Sequence, residues 1–525
     1  MTPEQAWTGR TAGALQAALR YSNEAFAAHL GIAVRTVASW HQKPDLQPRP
    51  EMQQVLDSAL ERAPESARAR FVALACGLAR SSPVGPSSAD RRLSADPHIG
   101  AALDRLDTNA RWEPGTARAE VSRRVADIDL RDLQDRASRR RRVSRRQTAD
   151  ALASYYLGQG GQGDCGAYRA RVSEGNDILT SVLTRPDWLD LACPLTAGSD
   201  GLRLTHAAIA DDSPLAGHAA EAAAQRLAET LVAGTRLVDM PLYRLLSVSP
   251  SPGRIAGTLG LSQFARYALT LDLLEGELAD ALAAGRRTQP GNLPLRDRYL
   301  SDLQAVLAIS QRLCAGGALA LCAIARPASP FRGPADYVLI VQERSSQVIN
   351  AARSLAVIPK GFHQPMTDYA SDAKIGATLR REMEEELFGR EDADCTVLPG
   401  KLADPMHPER LSAPMRWLMA NPESFRLECT GFGLNMVSGN YEFASLIVIE
   451  SEEFWSEYGN VIEANWESQA LRQYSSLDAE SLADLAEDPG WSNEGLFAFT
   501  QGLRRLGQIG GERASIPAIT WEAAA

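Results

Sequence analysis

The sequence predicts a multidomain α+β protein, with an all-α N-terminal part, a central α-helical region and a C-terminal α/β layer. Three observations predict it. The chain has 525 residues, enough for about three domains at roughly 100–200 residues each. Its texture changes near residue 315. Helical periodicity, as in Ala219–Ala233 and Leu269–Ala284, gives way to strand-like runs at Ala318–Ala325, Tyr337–Gln342, Leu355–Ile358 and Phe443–Glu450, with a helix over Asp372–Leu387. The charge is also divided. Residues 1–150 hold 24 basic and 18 acidic residues, a balance of +6, and the remainder stands at −16. A basic front and an acidic back predict two jobs, with any polyanion partner near the front.

Composition excludes several classes. Hydrophobic residues at 45% and charged residues at 23% fit a soluble globular chain, not a collagen-like, mucin-like or globally disordered one. The longest apolar run, Ala315–Ala325, is short of the roughly 20 residues that span a bilayer, so no membrane partner is expected. The opening MTPEQAWTGR has no charged segment followed by an apolar stretch, so no secretory signal is expected. Seven scattered cysteines without a CxxC point to a reducing cytoplasm. Only Lys43, Lys360, Lys374 and Lys401 are lysines, so the arginine excess reads as codon bias and decides little by its number.

The boundaries follow from punctuation. Residues 1–80 read as short helices. Residues 81–150 combine a Ser/Pro/Asp-rich linker (81–97) with an Arg-rich helical segment. Residues 151–310, which include the glycine-rich break Gly158–Gly166, read as an α-helical coupling or dimerisation domain. Residues 315–510 form the α/β part, and 511–525 a tail.

At the front, Thr11–Arg20, Ser22–Leu30 and Ala33–Gln42 read as three successive helices. Ser22 caps the second, and Gly31 ends it where a positive φ is cheap. Leu15, Leu19, Phe26, Leu30, Ile32, Val37 and Trp40 supply the apolar centre, and Met52, Val55, Leu56, Ala59 and Leu60 the stripe of a fourth helix. The stretch SNEAFAAHLGIAVRTVASWHQ resembles the phage-repressor (XRE-like) helix-turn-helix family, through Ala27, Leu30, Gly31, Ile32, Thr36, Val37 and Trp40 in their usual order. The resemblance implies that the third helix enters the major groove of double-stranded DNA. Val34, Arg35 and Ser39 would then reach base edges, with Arg35 the candidate for a bidentate guanine contact. Asn23, Thr36, Gln42, Lys43 and Arg49 are the phosphate candidates. The cap position of the third helix is Ala33, which has no capping side chain.

Arg136–Arg146 (RASRRRRVSRR) holds seven arginines in eleven residues. It reads either as added phosphate affinity or as a solvated helix face paired with Asp127, Asp129, Asp132 and Asp135. The middle region offers no metal spacing or phosphate loop. His206 and His218 read as polar surface, and Trp188 as a core anchor. A homodimer would suit a reader of paired half-sites.

At the back, TLRREMEEELFG places Glu382, Glu385 and Glu386 at i, i+3 and i+4, one face of a helix. Carboxylates so close repel unless a cation neutralises them, and hard oxygen ligands suit Mg2+ or Mn2+. Together with YVLIVQERSS, SLAVIPKGF and the strands at 430–450, this string resembles the Nudix hydrolases over about Ala315–Leu506. The resemblance implies a Nudix-like sandwich that cleaves nucleoside diphosphates linked to another group. It implies metal held by Glu382, Glu385 and Glu386, catalysis through Glu385 and Glu386, and carboxylates steadied by Arg381. The chain departs from the family pattern. Thr367 stands where Gly is usual and Ala373 where Glu is usual. Gly361 lies twenty residues before Arg381, and Phe388 takes the place of the closing glycine. A lost carboxylate weakens metal geometry and the positioning of water. His363 reads as a phosphate contact or an exposed loop residue, and Tyr441, Trp455 and Trp466 as base-stacking or core residues.

The sequence therefore supports, first, a cytoplasmic DNA-binding transcription regulator whose Nudix-like part senses a nucleotide-type ligand. A Mg-dependent diphosphate hydrolase with a DNA-tethering head comes second, and a protein-interaction scaffold third.

Overall fold

The computed structural model describes the chain except residues 1–6, 20, 44–45, 65–66, 69, 72–92, 94–96, 159–163, 206–214, 236, 345–353, 390–405, 461, 463–467 and 525. The chain divides into two compact units, Met1–Arg92 and Leu93–Ala525.

In the smaller unit the helices are α1 (Gly9–Leu19), α2 (Asn23–Leu30), α3 (Val34–Gln42) and α4 (Pro50–Arg62). The Ser22 side chain accepts from the Ala25 N–H, and Gly31 takes φ +66°. The Ile32 N–H then reaches back to the Ala27 carbonyl at 2.9 Å, which closes the end of α2 and turns the chain into α3. Leu15, Phe26, Ala27, Leu30, Val37, Trp40 and Leu56 bury their side chains together. Gly9 is required by close packing, because a Cβ there would lie 2.6 Å from the Lys43 carbonyl oxygen.

The larger unit is built on a mixed sheet. Its strands are β1 (Gly166–Val172), β2 (Asp177–Thr184), β3 (Cys193–Pro194), β4 (Asp200–Leu204), β5 (Pro241–Ser251), β6 (Arg254–Gln263), β7 (Gly316–Arg326), β8 (Asp336–Arg344), β9 (Leu355–Val357), β10 (Lys360–Phe362), β11 (Phe425–Asn435), β12 (Tyr441–Ile449), β13 (Ser468–Ser475) and β14 (Ile519–Ala524). The large sheet runs β13-β8-β7-β12-β11-β2-β1-β14, with β10 beside β7, β3 beside β11 and β9 beside β8. Among the described strands of this sheet only β7 and β12 pair in parallel. β4, β6 and β5 form a small second sheet.

The helices used below are α5 (Pro97–Ala110), α6 (Thr116–Asp127), α7 (Leu130–Arg140), α8 (Arg145–Tyr156), α9 (His218–Ala233), α10 (Leu273–Ala283), α11 (Ile375–Glu382) and α12 (Asn493–Ile509). β7 shows why its sequence is apolar throughout. Leu319, Leu321 and Ala323 pack with Leu496, Phe497, Phe499 and Leu503 of α12 on one face. Ala318, Ala320, Cys322 and Ile324 join the core of α11 and the earlier helices on the other. A strand covered on both faces has no polar alternation.

The structure differs from the expected layout in three places. Residues 151–310 are not all helical, because six described strands fall there and β1, β2 and β3 belong to the large sheet. Ala and Leu favour helices intrinsically, and burial in the sheet overrides that preference. The Arg-rich segment is helical as expected, but it is not a separate piece, since Ile99, Leu103, Leu106, Ala117 and Val121 are buried in the core of the larger unit. Most of the expected linker, 81–97, lies outside the described residues. The expected tail is the edge strand β14, paired with β1 from Ile519↔Val172 to Ala524↔Ala167.

Buried Arg296 stitches the middle region to the sheet. Its guanidinium donates to the Met436 and Val437 carbonyls at 2.6 Å each, at the turn between β11 and β12, and to the Tyr156 hydroxyl at 2.9 Å. No helix among the described residues is long and apolar enough to cross a membrane.

Candidate functional site

Two surfaces carry the expected site residues, one in each unit. In the smaller unit α3 begins at Val34 without a capping side chain, since Ala33 supplies none. Val34 is 42% exposed, and Arg35, Lys43 and Arg49 are exposed. Thr36 and Ser39 are half-buried, and the Ser39 hydroxyl donates to the Thr36 carbonyl at 2.7 Å. The side chain of Gln42 lies outside the described residues.

A polar bridge that the sequence reading missed fixes this surface. Gln16 is buried on α1. Its Nε2 donates to the Tyr21 carbonyl at 3.1 Å and to Asn23 Oδ1 at 2.9 Å. Its Oε1 lies 2.8 Å from His41 Nε2 on α3. One amide therefore joins all three helices. Asn23, a phosphate candidate by sequence, has its oxygen committed to this bridge. The available signal was a glutamine on the apolar face of α1, between Leu15 and Leu19.

In the larger unit the acidic string does not form a plain α-helix. α11 ends at Glu382, and Met383–Leu387 continue it as a π-turn. The i→i+5 turn widens the helix where Glu385 and Glu386 sit.

Each carboxylate has its own task. Glu382 Oε1 accepts from Arg381 Nη2 at 2.6 Å. That guanidinium also donates to the Phe362 and Gln364 carbonyls, at 3.0 and 3.1 Å. Glu386 Oε2 accepts the Lys360 backbone N–H at 2.7 Å. Glu384, not singled out by sequence, accepts from the Ser412 N–H and hydroxyl at 2.5 and 2.6 Å. Glu385 is half-buried. Among the described residues no group of three or more His, Cys, Asp or Glu side chains is placed to hold a metal ion. The expected Mg2+ or Mn2+ shell of Glu382, Glu385 and Glu386 therefore does not fit this arrangement. Glu382 is instead engaged by Arg381, and Glu386 by the Lys360 N–H.

The start of α11 is fixed from β4. Lys374 Nζ donates to the Asp200 and Leu202 carbonyls at 2.9 and 2.7 Å. The Asp200 carboxylate accepts the Gly376 N–H at 3.2 Å, at the positive end of the helix. Just before α11, the Asp372 carboxylate accepts the Met366 and Thr367 N–H groups at 2.8 and 3.1 Å.

His363 is buried, not exposed, and its Nδ1 lies 3.0 Å from the Tyr441 hydroxyl. Burial, with the Arg381 charge nearby, pushes its pKa down to about 3. The ring therefore stays neutral at physiological pH, with one N–H and no positive charge. Tyr441 is itself fully buried. Trp455 is half-buried, with the Arg326 guanidinium 5.7 Å from its ring centre. Trp466 and His206 lie outside the described residues. His218 is exposed at the start of α9.

Sequence reasoning also missed a buried polar group beside β10. Lys360 Nζ donates to Glu494 Oε1 at 2.6 Å. Burial alone would raise the Glu494 carboxyl, but the Lys360 charge and hydrogen bond hold it below the usual range. Burial, with Glu494 close by, pushes Glu442 up to about 8. Half-buried Glu275 is pushed up to about 7 by burial and by Asp272 and Glu494. The signal was two glutamates inside apolar runs, YEFASLIV and NEGLFAF. Comparison with known proteins finds no family model that matches this chain and no curated protein that matches it.

Proposed function

We propose that the protein is a DNA-binding regulator, with the smaller unit as the reader and the larger unit as a Nudix-like module that responds to a nucleotide-type ligand. The observation that carries the reading is the solvent-facing start of α3. Val34 and Arg35 point outward on a helix held by the tight Gly31 turn and the Gln16 bridge. A rigid helix with an exposed arginine suits the major groove, where guanidinium pairs with guanine. Lys43 and Arg49, both exposed, are suited to phosphates.

Ligand control needs a difference in ligand affinity between DNA-competent and DNA-incompetent states. The buried Lys360–Glu494 pair and the π-turn beside it supply polar groups in the larger unit on which such a response would act. Of the carboxylates the hydrolase reading would use, Glu382 is engaged with Arg381 and Glu386 with the Lys360 N–H.

The test is selection of bound fragments from random duplex DNA, run with and without a panel of nucleoside diphosphate derivatives. A sharp sequence preference, shifted by a member of the panel, is the expected result. Absence of any preference would remove the reader. An unchanged preference and an unchanged melting temperature across the panel would remove the sensor.

A further inference from the structure

The arginine tract of the larger unit is sorted by the fold into two sets. The first set is structural. Arg136 pairs with Glu229 of α9 at 2.5 Å. Arg140 makes a two-pronged contact with Asp280 of α10, at 2.6 and 2.5 Å. Arg145 donates to the Leu179 carbonyl of β2 at 2.6 Å. None of these partners is among the aspartates just upstream of the tract. They come from distant elements, so the three arginines anchor α7 and α8 to the body of the unit.

The second set is Arg139, Arg141, Arg142 and Arg146, and all four are exposed. They sit at the end of α7, in the turn to α8, and in the first turn of α8, within eight residues of chain. The turn is held by Ser144, whose hydroxyl accepts the Gln147 N–H at 3.2 Å while Gln147 Oε1 accepts the Ser144 N–H at 2.8 Å. Arg146 has Asp150 at 3.7 Å, a contact between two largely exposed groups and so worth little. Arg139, Arg141 and Arg142 have no acidic side chain within ion-pair distance among the described residues. Asp135, one helical turn before Arg139, is exposed as well. An anchored turn thus presents four guanidinium groups to water with little internal compensation.

We infer that this turn is a second DNA contact, on the larger unit, that binds the phosphate backbone of duplex DNA without reading sequence. The inference rests on the proposal that the chain binds DNA, and it adds a surface outside the helix-turn-helix-like unit. Charge complementarity carries it. Guanidinium groups match phosphate oxygens in two-pronged hydrogen bonds, and each phosphate neutralised releases condensed counterions. Four such contacts add about 3.6 to the slope of log affinity against log salt, at about 0.9 per phosphate. Between about 50 and about 200 mM salt that slope amounts to a loss on the order of 100-fold.

The experiment uses the full chain and a random-sequence DNA duplex, with affinity measured across that salt range. A variant with Arg139, Arg141, Arg142 and Arg146 all changed to Gln is expected to lose three to four units of slope, by the same estimate of about 0.9 per phosphate. A second variant with the same four positions changed to Lys keeps the charge and is expected to keep the slope. An unchanged slope in the Gln variant overturns the inference, and so does an equal loss in the Lys variant. Loss of binding to anionic vesicles or to RNA, with the duplex slope intact, overturns it too by giving the surface another partner. Arg35→Gln, measured alongside on a selected site, keeps the two proposals apart. If it relaxes sequence preference while the four arginines leave the slope unchanged, the reader stands and the second contact falls. If it changes nothing while the Gln variant loses slope, the second contact stands and the reader falls.

Discussion

The backbone N–H of Lys360 donates to Glu386 Oε2 at 2.7 Å, so the last glutamate of the acidic string clasps the start of β10. The carboxylate thereby acts as a structural acceptor. Glu386→Ala leaves that N–H without its partner, at a cost of about 1–3 kcal/mol. Thermal or denaturant unfolding should show the loss. Mg2+ or Mn2+ should leave the melting temperature of the unaltered protein unchanged. A metal-dependent rise abolished by Glu386→Ala would restore the metal-site reading.

Gly361 sits against the other end of the same cluster. A Cβ there would lie 2.0 to 2.4 Å from the carboxylate atoms of Glu382, which Arg381 pins in place. Gly361→Ala should therefore push Glu382 off its partner and destabilise the larger unit by about 1–3 kcal/mol. Denaturant titration gives the answer, and a midpoint equal to that of the unaltered protein would refute the packing.

Glu442 makes stability depend on pH. Its carboxyl is raised from the ordinary 4.5 to about 8 by burial and Glu494. The native state therefore keeps a proton that the unfolded chain gives up. The contribution is complete below about pH 4.5 and is lost as pH rises toward 8, at up to about 1.4 kcal/mol per pH unit. Glu275, raised to about 7, acts in the same direction over a narrower window. Glu442→Gln should flatten the fall in melting temperature between pH 5 and pH 8. A variant whose profile parallels that of the unaltered protein would contradict the assignment.

Gln16 ties α1 to Tyr21, Asn23 and His41. Gln16→Ala removes that bridge from a buried position and should lower the stability of the smaller unit by about 1–3 kcal/mol. Hydrogen exchange at the α3 amides is the direct readout. Unaltered protection would show that the bridge does not fix the helix.

Much of this is legible in the sequence. The three front helices could be read because Ser22 and Gly31 are local signals, and they match α1, α2 and α3 to within two residues except at Arg20, which lies outside the described residues. β7, β8 and β12 were legible as apolar runs. β1 and β5 were not, because Ala, Arg and Leu in Gly166–Val172 and Pro241–Ser251 carry helix preference and only sheet burial reverses it. β14 is not legible because its alternation, in ITWEAA, is short. The acidic helix was read as a helix, but its π-turn has no sequence signal. The partners of Arg136 and Arg140 were invisible because Glu229 and Asp280 lie far along the chain.

Arg35, exposed on α3, is the residue proposed to read a base. The direct measurement is the affinity of Arg35→Gln for a selected DNA site and for a scrambled duplex, at one fixed salt concentration. A loss of about 1–3 kcal/mol on the selected site, with little change on the scrambled one, is the expected result. Equal affinity of variant and unaltered protein for the selected site would contradict it.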